Sequence, residues 1–187
     1  MIILASQSPR RQKLMSEDIT NNFVVKTYDI NESSFYNLPP IEAVKNIAKA
    51  KCEVAVSFNP HDTIITADTV VVINDQIIGK PKNEKDAFNI LKLLSGKTHE
   101  VITGFCIFNN NQYVIDYALT KVVFNDLTDE LINSYIASGS PMDKAGAYGY
   151  QDNKDYPLVK SIVGSKKNVI GFPSDEIKNI LKNMGVL

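Results

Sequence analysis

Tryptophan is absent from this chain of 187 residues, and only two cysteines and two histidines occur. The cysteines, Cys52 and Cys106, lie far apart in sequence, each within an apolar segment. They exclude a disulfide framework and read as buried, reduced thiols. His61 and His99 stand alone, so no zinc-ligand spacing exists. An excess of one charge is also missing: 20 Lys and Arg oppose 21 Asp and Glu, for a net charge of −1. That balance argues against general affinity for nucleic-acid polymers or membrane surfaces, so any basic site must be local. No apolar run reaches transmembrane length, and no basic region precedes the short apolar run at the N-terminus. A cytoplasmic chain without a signal peptide is expected. Repeats, low-complexity tracts and long linkers are absent as well. What remains is ample for folding: the 44% hydrophobic content supports a real core. The length fits one domain over residues 1–187, or one domain elaborated by a lobe.

Hydrophobic periodicity lays out the elements. Ile2–Ala5 reads as a short buried strand, followed by a helix from about Pro9 to Asp18. Phe23–Tyr28 reads as a strand, residues 29–40 as a polar loop, and Ile41–Val56 as an amphipathic helix. Thr63–Ile73 is rich in β-branched residues, and Asn74-Asp75 joins it to Gln76–Ile78 as a hairpin turn without the preferred glycine. Asn83 can cap a helix that Gly96 stops. Glu100–Phe108 and Tyr113–Phe124 form an extended hairpin, and Thr128 caps a helix ending at Gly139. A glycine-rich loop, 139–151, leads to a short strand near Ser161–Val163, and Ser174 opens a last helix. Interspersed strands and helices with at least one hairpin predict an α/β protein with a mixed sheet flanked by helices.

Several polar residues sit where a bland fold would not place them. Ser6-Gln7-Ser8-Pro9-Arg10-Arg11 puts two hydroxyls and two guanidinium groups at a helix start, a position that already favours anions. An ordinary Ser8 cap with arginines in solvent competes with a phosphate site there. Lys51 falls on the apolar stripe of its helix, in phase with Val44, Ile47 and Ala48, whereas Lys45 and Lys49 fall on the polar side. A lysine there must snorkel, pair with an acid or meet an anion. Asp68 interrupts the apolar run 64–73, which suits a carboxylate aimed into a cleft better than it suits a strand. Glu32, in the polar loop, is a candidate partner. Lys80 and Lys144 stand beside glycine and proline that fix the backbone, and are candidates for an anion site. Ser95-Gly96-Lys97-Thr98 is not a P-loop, because Leu91 stands where the first glycine belongs and the order is helix–loop–strand.

With these residues assembled, the chain resembles the Maf family of nucleoside triphosphate pyrophosphatases nearly end to end. The likeness runs through Leu4–Arg11, Glu32-Ser33, Lys51, Ala67–Val71, Gly79-Lys80-Pro81, Ser95–Val101, Ser138-Gly139, Asp143–Gln151 and Gly164–Pro173. It implies a homodimeric α/β protein with an elongated mixed sheet, like the inosine triphosphate pyrophosphatases. The implied reaction converts a nucleoside triphosphate to the monophosphate and pyrophosphate with a divalent metal cation, Mg²⁺ or Mn²⁺. Arg10, Thr69 and Gln151 match the branch acting on dTTP and UTP and differ from the sister branch acting on 7-methyl-GTP. The chain departs from the family pattern at Cys52, at Gly149-Tyr150 and at Lys166.

The expected roles follow. Asp68 activates water, Glu32 and Asp68 hold the metal, and Ser8, Arg11, Lys51, Lys80 and Lys144 grip phosphates. Arg10 and Gln151 face the base, and the Gln151 amide offers the donor and acceptor that the uracil edge needs. Two other classes stay open: a nucleotide-binding regulator of cell division without turnover, and a protein-interaction module acting through the hairpin surface. Pyrophosphate release under saturating UTP or dTTP separates enzyme from sensor, and the interaction module leaves Lys51 and Asp68 unexplained.

Overall fold

The β-branched run Thr63–Ile73 forms strand β3 over those same residues, and the sheet assembles around it. A computed structural model describes residues 1–187. The elements that precede β3 are β1 (Ile2–Leu4), α1 (Pro9–Leu14), β2 (Val24–Val25) and α2 (Pro40–Phe58). After it come β4 (Gln76–Ile78), α3 (Glu84–Leu94), β5 (Thr98–Asn109), β6 (Gln112–Phe124), α4 (Asp129–Ala137), β7 (Val159–Val163), α5 (Lys166–Ile170) and α6 (Ser174–Asn183). The seven strands order as β2-β1-β3-β5-β6-β7, with β4 paired to β3. β1 runs parallel to β2 and β3, whereas β3–β4 and β6–β7 are antiparallel, so the mixed sheet read from the sequence is present. Both tight turns are built on asparagine and aspartate with positive φ: Asn74 and Asp75 at 51° and 60°, Asn110 and Asn111 at 47° and 62°. These residues tolerate the left-handed region that a two-residue hairpin demands, which explains how both turns form without glycine.

One register detail positions the chemistry. β1 pairs with residues 63–65 of β3 and β4 with residues 71–73, and neither pairs with residues 66–70. Asp68 lies in the middle of that stretch, where β3 has no partner on the side of β1 and β4.

The chain packs as two units. The first comprises Met1–Asp68, Thr103–Ala118 and Gly171–Leu187; the second comprises Thr69–Ile102 and Leu119–Ile170. In the first unit, Ala48, Cys52 and Ala55 of α2 bury against Ile3, Ile64, Cys106 and Phe108. Gly104 is required by this packing, because a β-carbon there would overlap the Val44 backbone and stand 2.7 Å from the Lys45 amide nitrogen. Both cysteines are buried and free, as the sequence predicts. A hydrogen bond with Cys52, then burial, pushes the Cys106 thiol up, which keeps it from ionising.

In the second unit, α3 and α4 close over Val71, Val101, Val122 and Phe124. His99 lies among them, 2% exposed, with its ring edge-on to Phe124 and Tyr148. Its Nε2 meets the Tyr148 hydroxyl at 2.6 Å. Burial lowers its pKa to about 4. An unfolded histidine titrates near 6.5. On acidification from about 6.5 towards 4 the unfolded chain takes up a proton that the folded chain refuses, so stability is lost across that window. The loss is at most about 3 kcal/mol. Urea midpoints for the wild type and His99→Gln, compared at about pH 7 and about pH 4.5, should show a smaller acid-induced fall in the variant. Equal falls would remove His99 as the cause.

Two local expectations are corrected. The first helix ends at Leu14, and Met15–Ile19 forms a π-helical turn closed by Thr20 N–H on the Met15 carbonyl at 2.9 Å. The strand expected at Phe23–Tyr28 shrinks to Val24–Val25, an exposed edge paired only to β1. Ser174 opens α6 as the sequence predicts, and its buried hydroxyl donates to Asp18 Oδ2, tying the helix to the π turn. The short helix α5 was not expected. No helix is long and apolar enough to cross a membrane.

Candidate active site

Helical phase alone put Lys51 on the buried face of α2, and its side chain is only 15% exposed. It pairs with acids, one of the arrangements the sequence leaves open. Its ammonium bridges two carboxylates, Glu32 Oε1 at 2.6 Å and Asp68 Oδ1 at 3.0 Å. Glu32 opens a 3₁₀ turn, Glu32–Phe35, in the loop before α2, and so reaches Lys51 from outside the sheet. Asp68 is 7% exposed, and its second oxygen, Oδ2, is buried with no hydrogen-bond partner. A buried unpaired carboxylate oxygen is costly and calls for a ligand, a water or a proton. Burial raises the Asp68 pKa above the usual carboxylate range; Lys51 opposes this, Glu32 adds to it, and Arg11 opposes it.

Arg11 completes the cluster. Its Nε donates to the Gly171 carbonyl at 2.8 Å, and its Nη1 donates to the Ala67 carbonyl at 2.8 Å and to Ser6 Oγ at 3.4 Å. The Ala67 carbonyl is available because β3 lacks a ladder partner there on the side of β1 and β4. Arg11 thus anchors the backbone immediately before Asp68. Burial lowers its pKa and the Asp68 charge opposes that; a guanidinium stays charged regardless. Ser8 serves as the N-cap of α1, accepting the Arg11 N–H at 3.4 Å, with its own N–H directed to Ser6 Oγ at 3.3 Å. Arg10 is half-buried on the first turn of the same helix. The first unit therefore gathers Arg11, Glu32, Lys51 and Asp68 in one cluster.

Sequence reasoning noted the Ser6 hydroxyl without a role of its own and missed Tyr36. Ser6 is buried and holds Ser8 and Arg11. Tyr36, directly after the Glu32 turn, has its phenol pushed up to about 12 by partial burial and then by the charges of Asp68 and Glu32. A hydroxyl ring four residues past a candidate ligand was the only available signal.

The remaining candidates belong to the second unit. Thr69 follows Asp68 on β3 and is half-buried. Lys80 is exposed after β4. Lys144 is 8% exposed, and its ammonium donates to the Ser140 carbonyl at 2.5 Å, Ser140 Oγ at 3.0 Å and Asp143 Oδ1 at 2.8 Å. Those contacts match the three hydrogens an ammonium has. A phosphate could reach it only by replacing one of them. Gln151 is exposed, with its amide folded back over Gly149.

No group of three or more His, Cys, Asp or Glu is placed to hold a metal ion. A caged structural metal does not fit. The Glu32–Asp68 pair with its open Oδ2 does suit Mg²⁺ or Mn²⁺, hard ions that take one or two carboxylates and complete their shell with phosphate oxygens and water.

Fold and cluster together define an α/β protein whose first unit holds a cation-braced acid pair with one buried carboxylate oxygen left without a hydrogen-bond partner. The chain belongs to the Maf family, described as Maf-like protein, whose pattern matches residues 1–184. Among curated relatives, a dTTP/UTP pyrophosphatase of Pyrococcus furiosus is 45% identical over 173 residues, covering 92% of this chain and 89% of its own length. One from Geobacillus sp. (strain WCH70) is 42% identical over 185 residues, with 98% of each chain covered. One from Thermococcus gammatolerans is 42% identical over 177 residues, covering 95% of this chain and 93% of its own.

Proposed function

We propose that this chain hydrolyses dTTP and UTP to the monophosphate and pyrophosphate, and accepts modified pyrimidine nucleotides through the same chemistry. The substrate pair comes from the relatives' names and from Arg10, Thr69 and Gln151. The observation that carries the hydrolytic reading is Asp68, buried, braced by Lys51 at one oxygen and open at the other.

In this reaction a water oxygen attacks the α-phosphorus, and the bond from α-phosphorus to the bridging oxygen breaks. Pyrophosphate leaves with the electron pair, and the water proton passes to Asp68 Oδ2. Burial raises the Asp68 pKa, which makes its carboxylate a stronger base than one in water. Lys51 opposes that rise and fixes the Asp68 Oδ1, so the other oxygen has one orientation. Glu32 and Asp68 would hold the divalent cation, which, when bound, supplies charge neutralisation on the phosphates and lowers the pKa of a bound water. Arg11 holds the Ala67 backbone and adds positive potential beside the cluster. Ser8, Lys80 and Lys144 are the proposed phosphate contacts, Lys144 by exchanging a present partner for a phosphate oxygen. Gln151 reads the base edge. The homodimeric state belongs to the same proposal and is read by sedimentation.

The test is kcat/KM for UTP, dTTP, ATP, GTP and 7-methyl-GTP, with product analysis. UTP and dTTP should lead, with pyrophosphate and not single phosphates released. A site that hydrogen-bonds a base edge rejects the wrong base strongly, because mispairing leaves buried polar groups unsatisfied. Gln151→Glu should impair uracil recognition, since a carboxylate repels an acceptor such as O4. Preference for 7-methyl-GTP would overturn the branch and leave the chemistry standing. Tight binding without pyrophosphate release would mark a sensor.

A further inference from the structure

The loop between α4 and β7 has no strand ladder to hold it. It passes through three short 3₁₀ turns, Ser140–Asp143, Ala145–Ala147 and Tyr150–Asp152, yet it carries both Lys144 and Gln151. Backbone hydrogen bonds close the turns and join Gly146 N–H to the Gly79 carbonyl at 3.1 Å, and side chains tie the turns to one another. Tyr135 on α4 is fully buried, and its hydroxyl donates to Asp152 Oδ2 at 2.8 Å while accepting the Gly149 N–H at 3.0 Å. Ser140 Oγ donates to the same Asp152 oxygen at 2.6 Å and accepts from Lys144 Nζ at 3.0 Å. One carboxylate oxygen thus gathers the two ends of the loop, and one buried phenol pins its middle.

The direction of these bonds is forced. A phenol has a single proton, and the Gly149 N–H can only donate to the phenol oxygen, so that proton goes to the Asp152 oxygen. The phenol oxygen is then left to receive Gly149. Gly149 is the floor under both functional side chains: a β-carbon there would overlap the Gln151 amide nitrogen and stand 2.7 Å from Lys144 Cε. The Gln151 amide lies directly against Gly149, so the position of Gly149 bounds where that amide can sit.

We propose that Asp152 and Tyr135 are positioning residues for base selection, fixing Gly149 and with it the orientation of the Gln151 amide. The proposal rests on the reading of Gln151 as the base-reading residue and names what aims it. Burial, then the bond to Asp152, raises the Tyr135 pKa and keeps the phenol protonated as the tether requires. Neither residue touches substrate in this account. Misplacement of a positioned group by about 1 Å costs on the order of 10²-fold. The loss should fall on discrimination between bases, more than on turnover of the preferred one.

The experiment compares kcat/KM for UTP and CTP, which share size and differ in the hydrogen-bonding edge, in wild type, Gln151→Ala, Tyr135→Phe, Asp152→Ala and Asp152→Asn. Thermal melts accompany each variant. Tyr135→Phe and Asp152→Ala should lower the UTP:CTP ratio about 10- to 100-fold, chiefly through KM for UTP. Asp152→Asn should keep most of the ratio, because an amide oxygen can accept both bonds. In the double variant Gln151→Ala with Tyr135→Phe, the ratio should fall no further than in Gln151→Ala alone. If Gln151→Ala collapses the ratio while Tyr135→Phe and Asp152→Ala preserve it, the positioning role is overturned and the Gln151 reading stands. A ratio untouched by Gln151→Ala overturns that reading and this proposal with it. An Asp152→Asn variant as impaired as Asp152→Ala, or a double variant showing additive losses, overturns the tether and leaves Gln151 in place. Failure of the unmodified chain to hydrolyse either nucleotide overturns both.

Discussion

Asp68→Asn is expected to lower pyrophosphate release from UTP by at least about 10²–10⁴-fold, the range for loss of a general base. The amide keeps the shape of the carboxylate and can still accept from Lys51, so nucleotide binding should survive. The change should not destabilise the fold. Because burial raises the Asp68 pKa, the folded chain holds its proton to higher pH than the unfolded chain does. Stability therefore declines as pH rises through the interval between the unfolded carboxylate value, near 4, and the raised folded one. An asparagine has no such decline. With divalent cations chelated, Asp68→Asn should melt at or above the wild-type temperature at neutral pH, with the gap closing in acid. Near-normal turnover by the folded variant would remove Asp68 from the chemistry.

Lys51→Ala should be the more disruptive substitution, since it strands two acids. Removing one partner of a buried ion pair costs about 3–5 kcal/mol; protonation of Asp68 will absorb part of that. The sign of the pH effect is fixed: Lys51 lowers the Asp68 pKa, so its loss lets that pKa climb further. Activity at neutral pH should fall about 10²-fold or more, and the residual rate should rise towards alkaline pH as Asp68 ionises. Lys49→Ala is the control. Lys49 pairs with Glu53 at 3.1 Å on the exposed side of the same helix, with side chains 45% and 51% exposed, and its loss should be near neutral. Equal catalytic losses from both would refute the directional argument. The pH–rate profile with a parallel melting series separates a misplaced base from a misfolded chain.

Lys51 was legible because helical phase is a local property: residues three, four and seven apart share a face whatever the tertiary structure does. Asp68 was legible because one charged residue broke an apolar run long enough to be recognised. The partner that each found was not legible. Pairing of Lys51 with Asp68 depends on α2 lying across β3, a long-range fact. Arg11 illustrates the same limit: its place in the first turn of α1 suggested an anion, and the structure directs its donors to the Ala67 and Gly171 carbonyls. Lys144 was recognised beside a glycine, but its engagement by Ser140 and Asp143 required the loop to close. The Phe23–Tyr28 strand was over-read because a run of β-branched and aromatic residues looks alike whether or not a neighbouring strand continues alongside it. The π turn after Leu14 leaves the hydrophobic period almost unchanged and shows in backbone bonding such as the Thr20 N–H on the Met15 carbonyl.

The division of the chain also governs the order in which it can be assembled. The path visits the first unit three times, as Met1–Asp68, Thr103–Ala118 and Gly171–Leu187, with the second unit's segments in between. β3, β5 and β6 are each cut by that division, so no contiguous stretch contains a finished core. During synthesis the acid cluster's Arg11 must wait for Gly171, which is made 160 positions later. Contacts of such long sequence separation slow folding and leave apolar strands uncovered meanwhile. Refolding should therefore be slow for a chain of this size, and nascent chains stopped before α6 should be sensitive to proteases within residues 1–68 as well as at their growing end.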